Sequence, residues 1–120
     1  MAHGAFAWNE LVTEDVETAK RFYADTLGWS YDSMPMPQGG TYWLAKLGDK
    51  MVGGLMTMEG VPPMWLPYIE VDDVDARAAK AAAKGGEIMR PPFDIPDVGR
   101  IAILKDATGA AVGLMTPVKR

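Results

Sequence analysis

A four-residue sequence, GLMT, occurs twice in this chain of 120 residues. It stands at 54–57 and again at 113–116, and each copy closes a hydrophobic stretch. A repeat with a period this long indicates two similar units, each forming one supersecondary structure. This requirement constrains the fold more than any other feature of the sequence.

Two further landmarks recur at almost the same spacing. The pair Asp15-Val16 recurs 58 positions later at Asp73-Val74, and Gly28 recurs 58 positions later at Gly86. The two copies of GLMT are 59 positions apart, which corresponds to one net inserted residue. Agreement at independent landmarks argues against the alternative that four letters coincide by chance.

Hydrophobic patterns predict the same order of elements, βαβββ, in each half. In the first half we predict strands at 5–12, 29–34, 41–47 and 50–58, and a helix that begins at Thr13 or Asp15 and ends at Gly28. In the second half we predict strands at 66–71, 87–90, 100–105 and 110–117, a helix from Asp72 or Asp73 to Gly85-Gly86, and a loop at 91–99. The sequence therefore predicts one α+β domain over residues 1–120, with module 1 at about 5–59 and module 2 at about 64–118.

The composition excludes several classes of function. Twelve basic and sixteen acidic residues give a net charge of −4, and no basic stripe is present to bind nucleic acid. The longest segment without charge, 33–45, is interrupted by proline and glycine and is too short to span a membrane. The first residues lack the pattern of a signal peptide, so we expect a cytoplasmic protein.

Three segments carry a resemblance to a known family: NELVTEDVETAKRFYADTLGW, WLPYIEVDDVDARAAKAAAKGGEI and GRIAILKDATGAAVGLM. Over essentially the whole chain they resemble the glyoxalase/bleomycin resistance/dioxygenase superfamily, also called vicinal oxygen chelate proteins. The sequence looks most like small members labelled hydroxylase or glyoxalase-like. The resemblance implies two modules whose mixed sheets curl around a shared cavity. Modules of the family pair within one chain or across a dimer, and we expect a homodimer.

The resemblance also locates the metal site of the family's enzymes. Each module supplies histidine or glutamate from its first strand and from its last strand. Carried over to this sequence, the four positions fall on Trp8, Leu66, Gly54 and Gly113. None of these side chains can bind a metal ion, and a shift by one residue offers only Asn9 or Pro67. We therefore predict no metal and no other cofactor, which disfavours a metal-dependent glyoxalase or dioxygenase.

The same positions define a candidate ligand pocket. Because alternate residues of a strand share a face, the predicted lining is aromatic and rich in thioethers. It consists of Trp8, Gly54, Met56, Leu66, Gly113 and Met115. Such a surface suits a small, largely apolar organic molecule. The alternative is that these methionine and tryptophan side chains only fill the core.

Glu10 and Tyr68 are the candidate catalytic residues. They occupy equivalent positions, 58 residues apart, on the first strand of each module. A carboxyl group in an apolar cavity has a raised pKa and can act as an acid or a base near neutral pH. Alternatively, Glu10 pairs with Arg100 or another cation, or lies at an exposed sheet edge.

Three functions follow from these observations. The first is metal-independent binding of a small organic molecule in the cavity between the modules. The second is a lyase, isomerase or hydroxylase type of enzyme that uses Glu10 and Tyr68. The third is a structural or interaction subunit.

Overall fold

The computed structural model describes residues 3–37, 39–58 and 60–118. The first half contains β1 (Phe6–Val12), α1 (Val16–Leu27), β2 (Ser30–Pro35), β3 (Thr41–Leu47) and β4 (Lys50–Met56). The second half contains β5 (Met64–Glu70), α2 (Val74–Ala83), β6 (Glu87–Ile95), β7 (Gly99–Lys105) and β8 (Ala111–Pro117). The predicted α+β class and the repeated βαβββ order are therefore confirmed.

The chain divides into two compact units. The first unit is Trp8–Trp65, and the second joins the residues up to Ala7 with those from Leu66 onward. Within the first unit the strand order is β2-β3-β4-β1, and within the second it is β5-β8-β7-β6. Each half has one parallel pair, β1 with β4 and β5 with β8, and antiparallel pairs elsewhere. Both halves are thus mixed sheets with the same connectivity.

The strand register places equivalent residues of the two modules in equivalent pairs. Glu10 pairs with Gly54 across β1 and β4, and Tyr68 pairs with Gly113 across β5 and β8. Both glycines that begin GLMT therefore lie beside a first-strand residue. The repeat in the sequence corresponds to a repeat in the hydrogen-bonded backbone.

Aspartate side chains begin both helices. Asp15 accepts hydrogen bonds from the backbone N–H and the hydroxyl of Thr18, at 3.1 Å and 2.7 Å, and these bonds lower the pKa of Asp15. Asp73 accepts from the N–H of Ala76 at 3.1 Å. The bonds from the N–H groups of Thr18 and Ala76 satisfy backbone donors that have no partner within the helix. The structure thus selects Asp15 and Asp73 from the predicted alternatives, and Gly28 ends α1 with φ at 77°.

Each helix packs on one face of its own four-stranded sheet. Val16 of α1 packs with Leu11, Ala45 and Leu55. The equivalent cluster around α2 consists of Val71, Val74, Ala78, Ala102, Leu104 and Leu114. Because side chains alternate along a strand, the residues between these positions lie on the opposite face, which we call the helix-free face. Neither helix of the described segments is long and apolar enough to cross a membrane.

The prediction of a loop at residues 91–99 was wrong for most of that segment. Strand β6 continues through Pro91 and Pro92 to Ile95, and its register shifts on both sides of Arg90. Proline has no N–H to donate, but an edge strand needs donors on one side only. Since β6 is the last strand in its unit's order, the two prolines are tolerated there.

Candidate functional site

In the first unit, Gly54 makes room for the phenol of Tyr42. A methyl group at position 54 would collide with the hydroxyl oxygen and the adjacent ring carbon of Tyr42. Tyr42 comes from β3 and is fully buried. The glycine that begins the first GLMT therefore allows a tyrosine ring to lie against the backbone of β4.

The Tyr42 hydroxyl connects two neighbouring side chains. It accepts a hydrogen bond of 3.0 Å from Nε1 of Trp8, and it is hydrogen-bonded to the carboxylate of Glu10. Glu10 is only 1% exposed, although its charge would be costly to bury without partners. The three residues form a buried polar network on the helix-free face, which we call the Glu10 network.

This placement excludes two alternatives for Glu10. Glu10 does not lie at an exposed edge, and the guanidinium of Arg100 instead binds Asp75 at 2.8 Å and Asp94 at 3.2 Å. Within residues 3–37, 39–58 and 60–118, every buried side-chain nitrogen or oxygen has a hydrogen-bond partner. Glu10 is thus a buried carboxyl group that is hydrogen-bonded to Tyr42 within its own unit.

In the second unit, Gly113 makes room for Tyr68. A methyl group at position 113 would collide with three carbon atoms of the Tyr68 ring rather than with its hydroxyl. Tyr68 is fully buried and lies beside Gly113 in the register of β5 and β8. The second GLMT glycine therefore serves the same steric purpose as the first, with a tyrosine from a different strand.

The family's metal site does not fit the residues present. Its four positions are Trp8, Leu66, Gly54 and Gly113. The first two carry no metal-binding atom, and the space beside each glycine is filled by a tyrosine ring. In the described part of the chain, no three His, Asp or Glu side chains are close enough together to hold one metal ion.

The predicted pocket residues lie on the helix-free faces of the two units. Trp8, Gly54 and Met56 belong to the first unit, where Trp8 is half-buried and Met56 is buried. Leu66, Gly113 and Met115 belong to the second unit, where all three are buried. Strand alternation assigns these positions to the helix-free faces, and their role in ligand binding stays a prediction.

Sequence reasoning missed Tyr42, which holds the Glu10 network together. The available signal was the pairing of a glycine with a large residue on the adjacent antiparallel strand. Gly54 pairs with Leu44 across β3 and β4, so Tyr42 lies one same-face position away. A search for large residues beside each GLMT glycine would have found both Tyr42 and Tyr68.

Tyr42 is expected to ionise only as the chain unfolds at high pH. Burial and the nearby Glu10 carboxylate raise the pKa of Tyr42 well above its usual 10.0. Because the folded pKa is raised, the stabilising contribution is complete below about pH 10 and is lost as the pH rises further. The free energy of unfolding, measured by urea denaturation, should fall more steeply above pH 10 in the wild type than in Tyr42→Phe.

A matched control is Tyr23→Phe. Tyr23 is not part of the Glu10 network, and its hydroxyl accepts a hydrogen bond of 3.0 Å from Nε1 of Trp65, so its replacement should leave the loss of stability caused by Tyr42 in place. If the free energy of unfolding fell equally steeply above pH 10 in the wild type and in Tyr42→Phe, the raised pKa of Tyr42 would be contradicted.

The architecture and the paired glycine sites together define the class of this protein. Residues 5–114 match the Glyoxalase/Bleomycin resistance protein/Dioxygenase superfamily. The chain therefore belongs to this superfamily.

Two curated relatives are similar to this chain over most of its length. The chain is 47% identical over 113 residues to "Putative glyoxylase CFP32" of Mycobacterium tuberculosis, covering 89% of this chain and 43% of that protein. It is 29% identical to "Anthracycline biosynthesis protein DnrV" of Streptomyces peucetius, covering 92% of this chain and 46% of that protein. The chain thus spans less than half the length of these curated relatives.

Two solved structures share the fold. Methylmalonyl-CoA epimerase from Mycobacterium tuberculosis superposes with a TM-score of 0.65 at 18% identity, covering 99% of this chain and 93% of that one. The hypothetical protein BH1468 from Bacillus halodurans superposes with a TM-score of 0.67 at 14% identity, covering 99% and 98%. At these identities the likeness concerns the fold alone.

Proposed function

We propose that this chain binds a small, largely apolar organic molecule on its helix-free face, without a divalent metal ion. The observation that carries the proposal is the filling of the two GLMT glycine sites by Tyr42 and Tyr68. Where the family's enzymes place metal-binding side chains, this chain places aromatic rings. The side chains of this face offer carbon and sulfur contacts rather than a coordination site.

The chemistry of the face supports an aromatic or flexible apolar ligand. Met56 and Met115, which are 4% and 5% exposed, contribute thioethers, which are polarisable and adapt to irregular shapes. Trp8 adds a half-buried ring whose N–H is already held by Tyr42. DnrV is named for anthracycline biosynthesis, and anthracyclines are flat aromatic molecules, which supports the same ligand class here.

The test is a thermal-shift screen of small aromatic compounds on protein dialysed against EDTA, with metal analysis of the same sample. A ligand at 100 times its Kd should stabilise the protein by about 2.7 kcal/mol, with or without EDTA. Met115→Gln should weaken binding because it places an amide in the buried face. Met51→Gln is the matched control, since Met51 is 53% exposed on β4. A stoichiometric divalent metal, or stabilisation that EDTA removes, would overturn the proposal.

A second candidate is an enzyme that uses protein acid–base groups. The observation that favours it is the buried carboxylate of Glu10, hydrogen-bonded to Tyr42. A carboxyl group held in this way can exchange a proton with a bound molecule. In this function Tyr42 positions Glu10. Tyr68 is the second candidate catalytic residue predicted from the sequence.

The ligands found by the screen separate the two candidates. Incubation with the protein, followed by NMR of the small molecule, should show no product if the chain only binds. If product forms, Glu10→Gln should abolish turnover while leaving the ligand's Kd nearly unchanged. The homodimer and the cytoplasmic location stay predictions from the sequence, as does the cavity between the modules.

A further inference from the structure

The guanidinium group of Arg90 lies over an aromatic ring. Its Cζ atom is 5.2 Å from the centroid of Phe93, an arrangement in which the ring face attracts the cation. Arg90 is half-buried. Within residues 3–37, 39–58 and 60–118 it forms no ion pair. Its N–H donors are therefore available to an anion.

The other described arginines of this unit are neutralised. Arg77 binds Asp72 through two nitrogen atoms, at 2.9 Å and 3.0 Å. Arg100 binds Asp75 and Asp94, and these partners raise the pKa of Arg100 further above its usual value. Arg77 and Arg100 therefore each have carboxylate partners, whereas Arg90 lies over the ring of Phe93.

The strand register places Arg90 and Phe93 on the helix-free face. Arg90 pairs with Ile103 and Phe93 pairs with Ile101, both on β7. These isoleucines alternate with Ala102 and Leu104, which pack against α2. Directly paired residues share a face, so the guanidinium and the ring border the same surface as the proposed ligand.

The backbone of β6 is distorted around Arg90. The register shifts between Ile88 and Arg90 and again between Arg90 and Phe93. Such bulges re-aim side chains and are frequent at sheet edges beside functional sites. Pro91 and Pro92 lie between the two residues and remove backbone donors, which disfavours the addition of another strand at this edge. The distortion therefore affects the direction of the side chains in this segment and does not favour pairing with a further strand.

Buried apolar residues lie next to this cation on the neighbouring strands. Across β7, Ile103 pairs with Gly113 and Ile101 pairs with Met115. Neighbouring strands are about 4.8 Å apart, so β6 and β8 are separated by roughly 10 Å. Met115 is 5% exposed, so an apolar ligand body whose charged end lies at Arg90 reaches Met115 only when neighbouring side chains move aside.

We propose that Arg90 and Phe93 form the recognition site for the carboxylate end of the small molecule that this chain binds. The proposal rests on the proposed function and names the substrate class: an organic monocarboxylate with an apolar body of about 10 Å. Arginine binds a carboxylate through two parallel hydrogen bonds, and Phe93 supports the guanidinium plane. A single negative charge is favoured over a dianion because the chain carries a net charge of −4.

The test compares 4-phenylbutyrate with the neutral 4-phenylbutyramide, which has the same shape. Both are titrated into ¹⁵N-labelled protein, and the Nε–Hε resonance of Arg90 is followed by NMR. We expect the carboxylate to bind about tenfold more tightly than the amide, because a hydrogen bond to a charged group is stronger than a neutral one. Arg90→Gln should remove this preference, and Arg90→Lys should retain part of it.

Arg21→Gln is the matched control for loss of a positive charge. Arg21 lies on α1 in the other unit, where its guanidinium donates a hydrogen bond of 3.4 Å to the Thr18 hydroxyl, so the preference should persist. Spectra and melting curves of each variant are to be measured to establish that it is folded. Equal binding of acid and amide to the wild type, or an unchanged preference in Arg90→Gln, would overturn the carboxylate site and leave the proposed function standing. A protein that binds neither compound would count against both proposals.

Discussion

Gly54→Ala is expected to lower the free energy of unfolding by roughly 2–6 kcal/mol, as measured by urea denaturation. The added methyl group would occupy the place of the Tyr42 hydroxyl. Overfilling a packed interior typically costs about 1–3 kcal/mol. Displacing the hydroxyl would also leave the Glu10 carboxylate and the Trp8 N–H without their shared partner, which adds about 1–3 kcal/mol.

A double-mutant cycle separates the steric effect from other consequences of the substitution. In a Tyr42→Phe background the hydroxyl is absent, so Gly54→Ala should cost at least about 1 kcal/mol less than in the wild type. The relief is partial because a ring carbon also lies in the path of the methyl group. Full additivity of the two substitutions would show that Tyr42 does not occupy the Gly54 site.

Gly113→Ala is expected to lower the free energy of unfolding by about 1–3 kcal/mol. Here the methyl group would meet the carbon framework of the Tyr68 ring. The ring is fully buried and cannot swing into solvent. Either the ring or strand β8 must shift, and both movements disturb neighbouring packing.

Tyr68→Phe provides the contrast with the first glycine. Because the collision at position 113 involves ring carbons, removal of the hydroxyl should give no relief, and the two substitutions should be additive. Tyr68→Leu removes the ring and should reduce the cost of Gly113→Ala. If Tyr68→Phe reduced the cost of Gly113→Ala as much as Tyr42→Phe reduces the cost of Gly54→Ala, the proposed difference between the two sites would be contradicted.

Much of the fold was accessible from the sequence because its signals are local. Aspartates before each helix, a glycine after α1 and alternating strands are features of a few adjacent residues. The length of β6 was underestimated because two adjacent prolines normally end a strand. Their tolerance depends on β6 being an edge strand, which is a property of the sheet rather than of the segment.

The helix α1 shows a related limit. Phe22 and Leu27 fit its apolar pattern but are 56% and 53% exposed, whereas Val16, Ala19 and Tyr23 pack against the strands. The spacing of apolar residues identifies the apolar face of a helix, but it does not show how much of that face the sheet buries.

The candidate site was predicted in part. The offset between the modules correctly paired Glu10 with Tyr68 as equivalent positions, and strand alternation placed Met56 and Met115 on one type of face. Tyr42 could not be found in this way, because 59 positions after it stands Ile101, which has no polar group. Its importance arises from the approach of β3 to Gly54, a contact between strands that the repeat does not encode.

The two modules fill the same glycine space from different strands, and this makes them non-interchangeable. Module 1 uses Tyr42 from β3 and keeps Glu10 on its first strand, whereas module 2 uses Tyr68 from its first strand, β5. A chimera with two copies of module 1 would contain two buried carboxylates, each with its own tyrosine. A chimera with two copies of module 2 would contain no carboxylate at this position. The two modules therefore repeat the same backbone pattern but differ in chemistry, because a different strand supplies the tyrosine ring in each.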